Sequence, residues 1–331
     1  MNILLIRLRS IGDVLFTLPA VHMVRENFPD AAITFLTARE NQPLLEGFRE
    51  VNEVLVLNRS PFQSRNPKSI LSETFSLLRR VRRRKFSLTV DLQGYGETAG
   101  VAWWSGAPQR WGVVYARWRR WAYTNSVPRD NKLHHVDRSL SLLRHCGLRV
   151  GEIRNEFVLP DRVLGDARQF FAKAGLDPAR FTLFIQPLTS TPKKNWPLDR
   201  YLAVARHWQQ QGWQVLFGGG PQDRLALEPA RQSGFQVSAG VPLLVTGGLT
   251  KLSTLVLGGD TGVLHLAVAL GKRVVMIMGS PTPGSSYPFQ HPDWAVVTER
   301  GRVVSTIKTN TVIAACTRAL SELHSIQRTS R

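Results

Sequence analysis

Cysteine is nearly absent from this sequence. Cys146 and Cys316 are the only two, they lie far apart, and neither belongs to a CxxC pair or a Cys/His cluster. No disulfide framework or zinc site is indicated, which fits a reducing compartment. Nowhere do about eighteen apolar residues run uninterrupted, so no membrane-spanning helix is expected. The opening MNILLIRLRS meets Arg7 and Arg9 too early for a signal-peptide core. A soluble cytoplasmic protein is the expectation. No GxGxxG follows the first apolar run and no GxxxxGK[ST] occurs. A dinucleotide dehydrogenase loses its best support and a P-loop kinase is unsupported. Acidic residues are also few: 24 Asp and Glu stand against 43 Lys and Arg, a net charge of +19. Such an excess favours a polyanion, whether nucleic acid, an anionic membrane face or a phosphorylated glycolipid, without choosing among them.

What is present reads as two α/β halves. A chain of 331 residues with 43% hydrophobic content is natural for two domains of about 150 residues, each with its own core. Strands are expected at 2–8, 32–37, 54–57 and 87–91. Helices are expected from about Asp13, around 42–48, and at 72–84, with Pro19 kinking or restarting the first. This βαβαβ opening predicts a parallel sheet with helices on both faces. DLQG at 91–94 follows a strand, so its carboxylate and amide, with Asp13, fall on the edge where open α/β sheets bind ligands. Residues 103–125 are aromatic and basic with little period, and are expected to cap the cleft. HHVDRSLSLLRHCG reads as a helix from His135 to Gly147. The boundary is expected near Pro160, giving domains 1–160 and 161–310 and a C-terminal helix, 311–331, packing back on the first domain. In the second half, strands are expected at 182–186, 214–217 and 295–298, and helices at 166–174, 198–211, 228–232 and 309–324. Residues 237–258 resist placement.

The stretch Gly258–Pro283, GGDTGVLHLAVALGKRVVMIMGSPTP, is the organising one. It reads as a Gly258–Gly259 turn, an Asp260-Thr261-Gly262 cap, a helix ending at Gly271, a buried strand and a Pro/Gly loop. A capped helix start offers backbone N–H groups and the positive end of the helix dipole to an anion. His265 lies four residues after Thr261, on the same helical face. An ordinary capped helix with a satisfied histidine has the same pattern. Two basic clusters stand apart: RRVRRRK at 79–85, which also fits a solvated helix face, and RWRRW at 117–121, whose rings suit a headgroup boundary, a sugar, a base or a core.

Taken in order, RSIGDVLFTLPAV, DLQG, TSTPKKNWP at 189–197 and DTGVLHLAVALGKRVV with its trailing GSPTP resemble the lipopolysaccharide heptosyltransferases of glycosyltransferase family 9. HHVDR at 134–138 is a weaker match. The resemblance implies a GT-B fold, two Rossmann-like domains facing across a cleft. It implies inverting transfer from an ADP-heptose donor to the lipopolysaccharide inner core, with no catalytic metal and no cofactor beyond the nucleotide sugar. Asp13 then matches the general base, and Lys194, Thr189 and Ser190 the residues holding the donor diphosphate. Asp223 matches a position near the ribose, and Asp260, Thr261, Gly262 and His265 the donor-binding helix start. Ser10, Gly12, Asp91, Gln93, Arg120 and His134 fall on the acceptor side.

The partners so implied are an anionic glycolipid, Kdo-lipid A or a heptosylated core, and the cytoplasmic face of the inner membrane as a peripheral contact. Nucleic acid is not expected. The interval 247–260 looks shorter than the family's usual, where a helix and a strand flank the nucleotide base, so a GT-B transferase for another nucleotide sugar or acceptor stays open. A basic nucleic-acid-binding protein is the reading from another class. It leaves Asp13, Lys194 and the 260–265 cluster without purpose.

Overall fold

The computed structural model describes residues 1–279, 284 and 286–329, with side chains described to residue 323. The expected loop residues 280–283 lie outside the described residues. The chain forms two units, Met1–Glu156 and Phe157–Arg331.

In the first unit, strand β1 (Asn2–Ile6) leads to helices α1 (Ile11–Leu15) and α2 (Leu18–Asn27). Then come β2 (Ala32–Ala38), β3 (Glu53–Leu57), α3 (Ser60–Gln63), α4 (Pro67–Arg83) and β4 (Leu88–Asp91). The unit ends with α5 (Gly96–Trp104), β5 (Gln109–Val114), β6 (Asn125–Pro128) and α6 (His135–His145). The second unit runs α7 (Asp161–Lys173), β7 (Thr182–Gln186), α8 (Leu198–Gln210), β8 (Gln214–Phe217), α9 (Glu228–Gln232) and β9 (Gln236–Val237). It continues through α10 (Leu243–Leu252), β10 (Leu255–Gly259), α11 (Gly262–Ala269), β11 (Val274–Met278), β12 (Ala295–Val297) and α12 (Thr309–Thr329).

Each unit builds one parallel six-stranded sheet, ordered β3-β2-β1-β4-β5-β6 in the first and β12-β11-β10-β7-β8-β9 in the second. Counted from each unit's own first strand the two orders are the same, that of the nucleotide-binding α/β fold. In such a sheet the chain runs outward in both directions from the central pair, leaving a crevice at the strands' carboxyl ends. That crevice lies between β1 and β4 in the first unit and between β7 and β10 in the second. Register holds each pair level: Leu5 pairs Phe35 on one side and Val90 on the other, and Leu257 pairs Ile185. The central strands are continuous apolar runs because helices cover both faces. Ile3, Leu4, Leu5 and Ile6 are wholly buried, each worth about 1.5–3 kcal/mol of transfer free energy.

Pro19 restarts the helix, as expected: α1 stops at Leu15 and Pro19 occupies the first turn of α2, where its missing N–H costs nothing. The expected helix at 42–48 is a 3-10 turn, Arg39–Gly47, with Pro43 inside it. Residues 103–125, read as having little period, contain regular elements. They carry the end of α5, strand β5 and a 3-10 turn, Arg117–Ala122, that feeds β6 at the sheet edge. The segment left unplaced holds α10 and β10. Gly248 lies inside α10 where any Cβ would stand 2.7 Å from that of Ala167, so the glycine exists for close packing on α7. Gly258 and Gly259 are likewise not a turn but the last residues of β10. A helix and a strand therefore fill the interval that looked short in the sequence. Val312, Cys316 and Ala319 of α12 are buried in the second unit's core.

Candidate active site

At the first crevice, β1 delivers Arg7 and a tight connection to α1. Ser10 caps α1, accepting a 3.2 Å hydrogen bond from the Asp13 N–H, and does so at φ 47°, a conformation non-glycine residues enter only under strain. Gly12 sits in the same turn, its carbonyl accepting from Phe16 N–H. The cap turns Asp13 back over the strand end. Its Oδ1 lies 2.7 Å from Arg7 Nη2 and 3.5 Å from His135 Nδ1 at the start of α6. Phe16 stacks on the His135 ring at 5.4 Å, which fixes the imidazole beside the carboxylate. Burial pushes His135 down to about 4, against the pull of Asp13, so the ring is neutral at pH 7.

Further cations crowd this edge. Arg129 lies over the Tyr115 ring at 4.1 Å. Arg138 is held below the ordinary guanidinium range by burial and then by Arg129, with Arg7 adding to the repulsion. The Nε atoms of Arg7, Arg129 and Arg138 are all buried without a hydrogen-bond partner.

Several expected acceptor residues serve the scaffold instead. Asp91 is wholly buried: one oxygen accepts from the Gln93 and Gly94 N–H groups at 2.9 Å each, the other from Tyr123 Oη at 2.6 Å. Burial raises its pKa against these donors. Gln93 is buried too, and its Oε1 accepts from the Leu8 and Arg9 N–H groups at 2.8 and 3.2 Å, tying the β1 loop to the β4 loop. Neither side chain is free to touch an acceptor, which corrects that expectation. Gln93 braces the loop leading to Asp13, and beside it Asp91 shapes the β4 loop. Gly94 completes it at φ +76°, where an added Cβ would fall 1.9 Å from the Val113 carbonyl oxygen. Arg120 is exposed, and it is Arg119 that reaches the loop, donating to the Gly94 carbonyl at 3.2 Å. His134 caps α6 by accepting from Val136 N–H at 3.2 Å, so the histidine that meets Asp13 is its neighbour.

At the second crevice, β7 leads into the loop 187–197 and β10 into α11. Gly258 allows the approach of the two strands, since a Cβ there would stand 2.4 Å from the Gln186 carbonyl oxygen. Trp196 anchors the loop, donating from Nε1 to the Ile307 carbonyl at 2.9 Å. Thr189 is held by Asn195, whose Oδ1 accepts its N–H at 2.8 Å, while its hydroxyl donates to the Thr191 carbonyl at 2.8 Å. Ser190 is exposed beside it. The Lys194 ammonium lies 2.7 Å from Asp260 Oδ2, and His265 Nε2 lies 3.1 Å from Asp260 Oδ1. Burial alone would raise the Asp260 pKa, but His265 and then Lys194 outweigh it and hold the carboxyl at about 2. Thr261 caps α11, accepting from Leu264 N–H at 3.4 Å, so the helix starts two residues after the carboxylate that pairs with the Lys194 ammonium. Asp223, after β8, spends its Oδ2 on the Gly220 N–H at 2.8 Å and acts as a loop cap.

Expected residues therefore gather as Ser10, Gly12 and Asp13 at one crevice and as Thr189, Ser190, Lys194, Asp260, Thr261, Gly262 and His265 at the other. Arg7, Tyr123, Arg129, His135 and Arg138 were not anticipated. The His134-His135 doublet at a helix start was the one available signal, and only the cap decides which histidine turns inward. Among the described residues no group of three or more His, Cys, Asp or Glu is placed to hold a metal ion.

Residues 74–312 match the model of glycosyltransferase family 9 (heptosyltransferase). Lipopolysaccharide heptosyltransferase 3 of Escherichia coli K12 is 26% identical over 294 residues, covering 82% of this chain and 81% of its own. Lipopolysaccharide core heptosyltransferase OpsX of Haemophilus influenzae is 22% identical over 303 residues, covering 88% and 83%. Among solved structures, the family 9 glycosyl transferase of Veillonella parvula superposes with a TM-score of 0.88 at 21% identity over 97% of both chains. E. coli heptosyltransferase WaaC with ADP gives 0.78 at 18% identity, over 96% of this chain and all, 100%, of that one. At those identities the structures speak for the fold alone, two Rossmann-like units in one GT-B chain. The matched family model covers most of the sequence, and the chain belongs to glycosyltransferase family 9, the heptosyltransferases.

Proposed function

We propose that this protein moves a heptose from ADP-heptose to a hydroxyl of an anionic, lipid-borne acceptor of the lipopolysaccharide inner core, inverting the anomeric carbon. The observation that carries the reading is the second crevice, where Lys194, fixed by Asp260 and His265, stands with the α11 N-terminus. A lysine ammonium and helix amides together suit a diphosphate. ADP comes from the relatives: WaaC was solved with ADP and with ADP-2-deoxy-2-fluoro heptose.

In the reaction the acceptor oxygen attacks the anomeric carbon as the bond to the diphosphate breaks. ADP leaves with the bonding pair and the hydroxyl proton passes to Asp13. Arg7 and the neutral His135 keep the Asp13 carboxylate oriented; general-base help of this kind is worth about 10²–10⁴ in rate. Lys194, the Thr189 and Ser190 hydroxyls and the Gly262 amide meet the charge growing on the diphosphate. The cluster of guanidinium groups of Arg7, Arg129 and Arg138 near Asp13 favours an acceptor with carboxylates or phosphates. Attachment is peripheral, at the cytoplasmic face of the inner membrane.

Calorimetric titration with ADP, ADP-heptose and UDP- and GDP-sugars tests the donor. ADP compounds should bind at least tenfold more tightly; tighter binding of a UDP- or GDP-sugar would move the protein to another donor.

A further inference from the structure

Nine tryptophans are many for a chain of this length, and four are exposed in one place. Trp118 and Trp121, 67% and 53% exposed, lie three residues apart in the 3-10 turn Arg117–Ala122, where side chains at that spacing eclipse and share a face. Trp121 meets Trp103 edge-on at 5.6 Å, and Trp103 meets Trp104 at 6.3 Å at the end of α5. The four rings leave on the order of 500 Å² in water, as much as a monomer normally leaves in its largest apolar patch.

The patch extends onto α4. Arg82 donates to the Trp104 carbonyl at 3.3 Å, and Leu71, Phe75 and Arg82 fall on one helical stripe at spacings of four and seven. Leu71 and Phe75 are 71% and 63% exposed. Cations accompany these rings: Arg117 and Arg120 are exposed next to Trp118 and Trp121, and Arg79 and Arg83 are exposed on α4. No acidic residue occurs between Trp103 and Arg129.

We infer that this surface docks the first unit on an anionic lipid bilayer, with the indoles at headgroup depth and the arginines on lipid phosphates. Indole prefers that boundary because its ring is apolar and its N–H is not. Rings beside guanidinium groups match a plane of buried acyl chain under negative charge. A base-stacking groove for nucleic acid instead needs rings spaced along a concave track. The docking turn also reaches toward the Asp13 edge, since Arg119, 5.3 Å over Trp118, donates to the Gly94 carbonyl in the β4 loop, which Gln93 ties to the loop leading to Asp13. Docking there brings the Asp13 edge to an acceptor still anchored in lipid. The inference deepens the reading of a membrane-borne acceptor, and it is tested without any acceptor so that the two can fail separately.

The test is partition of the full-length protein onto phosphatidylcholine vesicles with and without phosphatidylglycerol, at low and high salt. A brominated phosphatidylcholine reports indole depth through quenching. The protein should bind only the anionic vesicles, leave at high salt, and be quenched. Trp118→Ser with Trp121→Ser should weaken binding about tenfold and remove most of the quenching. Arg117→Gln with Arg120→Gln should cost about fivefold per charge. Both variants change exposed residues, and a thermal unfolding profile by circular dichroism that matches the parent's shows that they remain folded. Vesicle binding unmoved by the tryptophan pair, or absence of quenching, would overturn the assignment. So would a larger loss of binding to a random DNA duplex than to vesicles, or a dimer by sedimentation that the tryptophan pair dissolves.

Discussion

Removing Lys194 separates affinity from stability, because its two possible roles carry different magnitudes. Its side chain is 51% exposed, so its ion pair with Asp260 is heavily screened and contributes at most about 1 kcal/mol to folding. Asp260 keeps His265 as a partner at 3.1 Å when the lysine is gone, so no carboxylate is abandoned in the interior. Lys194→Ala should therefore lower the midpoint of thermal unfolding by no more than about 2–4 °C for a unit of this size. A charge-assisted hydrogen bond to the donor diphosphate is worth about 1.5–3 kcal/mol, or about 10–150-fold in Kd. The same ammonium meets the charge of the leaving group, so turnover should fall further, by about 10²–10³. Calorimetry with ADP gives the affinity, scanning calorimetry the stability and ADP release the turnover. An affinity within twofold of the parent, together with a fall of more than about 8 °C, would make Lys194 a structural residue and refute the reasoning.

Asp13→Asn keeps the shape of the α1 turn but removes the base, so turnover should drop about 10²–10⁴ while ADP affinity, measured calorimetrically, stays within twofold; unchanged turnover removes Asp13 from the mechanism. His135 has a folded pKa lowered from 6.5 to about 4, so between those values the unfolded chain binds a proton that the folded one does not. Stability contributed by the neutral ring is complete above about pH 6.5 and is lost as pH falls toward 4, about 2 kcal/mol by pH 5. His135→Gln should flatten urea-unfolding stability across that window, and an unaltered slope would contradict the burial argument. Tyr123→Phe deletes a 2.6 Å donor to the buried Asp91, so stability should fall by about 1–3 kcal/mol in urea unfolding, with ADP affinity unchanged; a neutral result would mean that this bond does not hold the β4 loop.

The fold was legible wherever apolar runs alternate with polar helices: the expected strands at 2–8, 87–91, 182–186 and 214–217 are the central strands β1 and β4 and the pair β7 and β8. It was illegible where packing overrides local preference. β5 and β6 are short, polar at their edges and interrupted by Gly112 and Pro128, so only pairing, of β5 with β4 and of β6 with β5, defines them. α10 was hidden by Gly247 and Gly248, which weaken a helix on their own but permit close packing, Gly247 against Leu266 of α11 and Gly248 against Ala167 of α7. The site divides along the same line. Asp13, Lys194 and the 260–265 cluster sit in short segments that follow a strand, so their places at the strands' carboxyl ends were legible. Arg7, His135 and Tyr123 act across 6, 122 and 32 residues of sequence respectively, and nothing in their own neighbourhoods announces the partner. Asp91 and Gln93 show the converse: a polar loop at a strand's carboxyl end looks like a binding site and here is spent on holding two loops together.

The account rests on a single displacement in which a sugar leaves a diphosphate for an acceptor hydroxyl. The most direct measurement is the anomeric configuration of the linkage formed from ADP-heptose and an inner-core acceptor, read from proton–carbon coupling by nuclear magnetic resonance while ADP release is counted. One ADP per new linkage, with configuration opposite to that of the donor, is the predicted result. Retained configuration, or ADP released without a linkage, would contradict it.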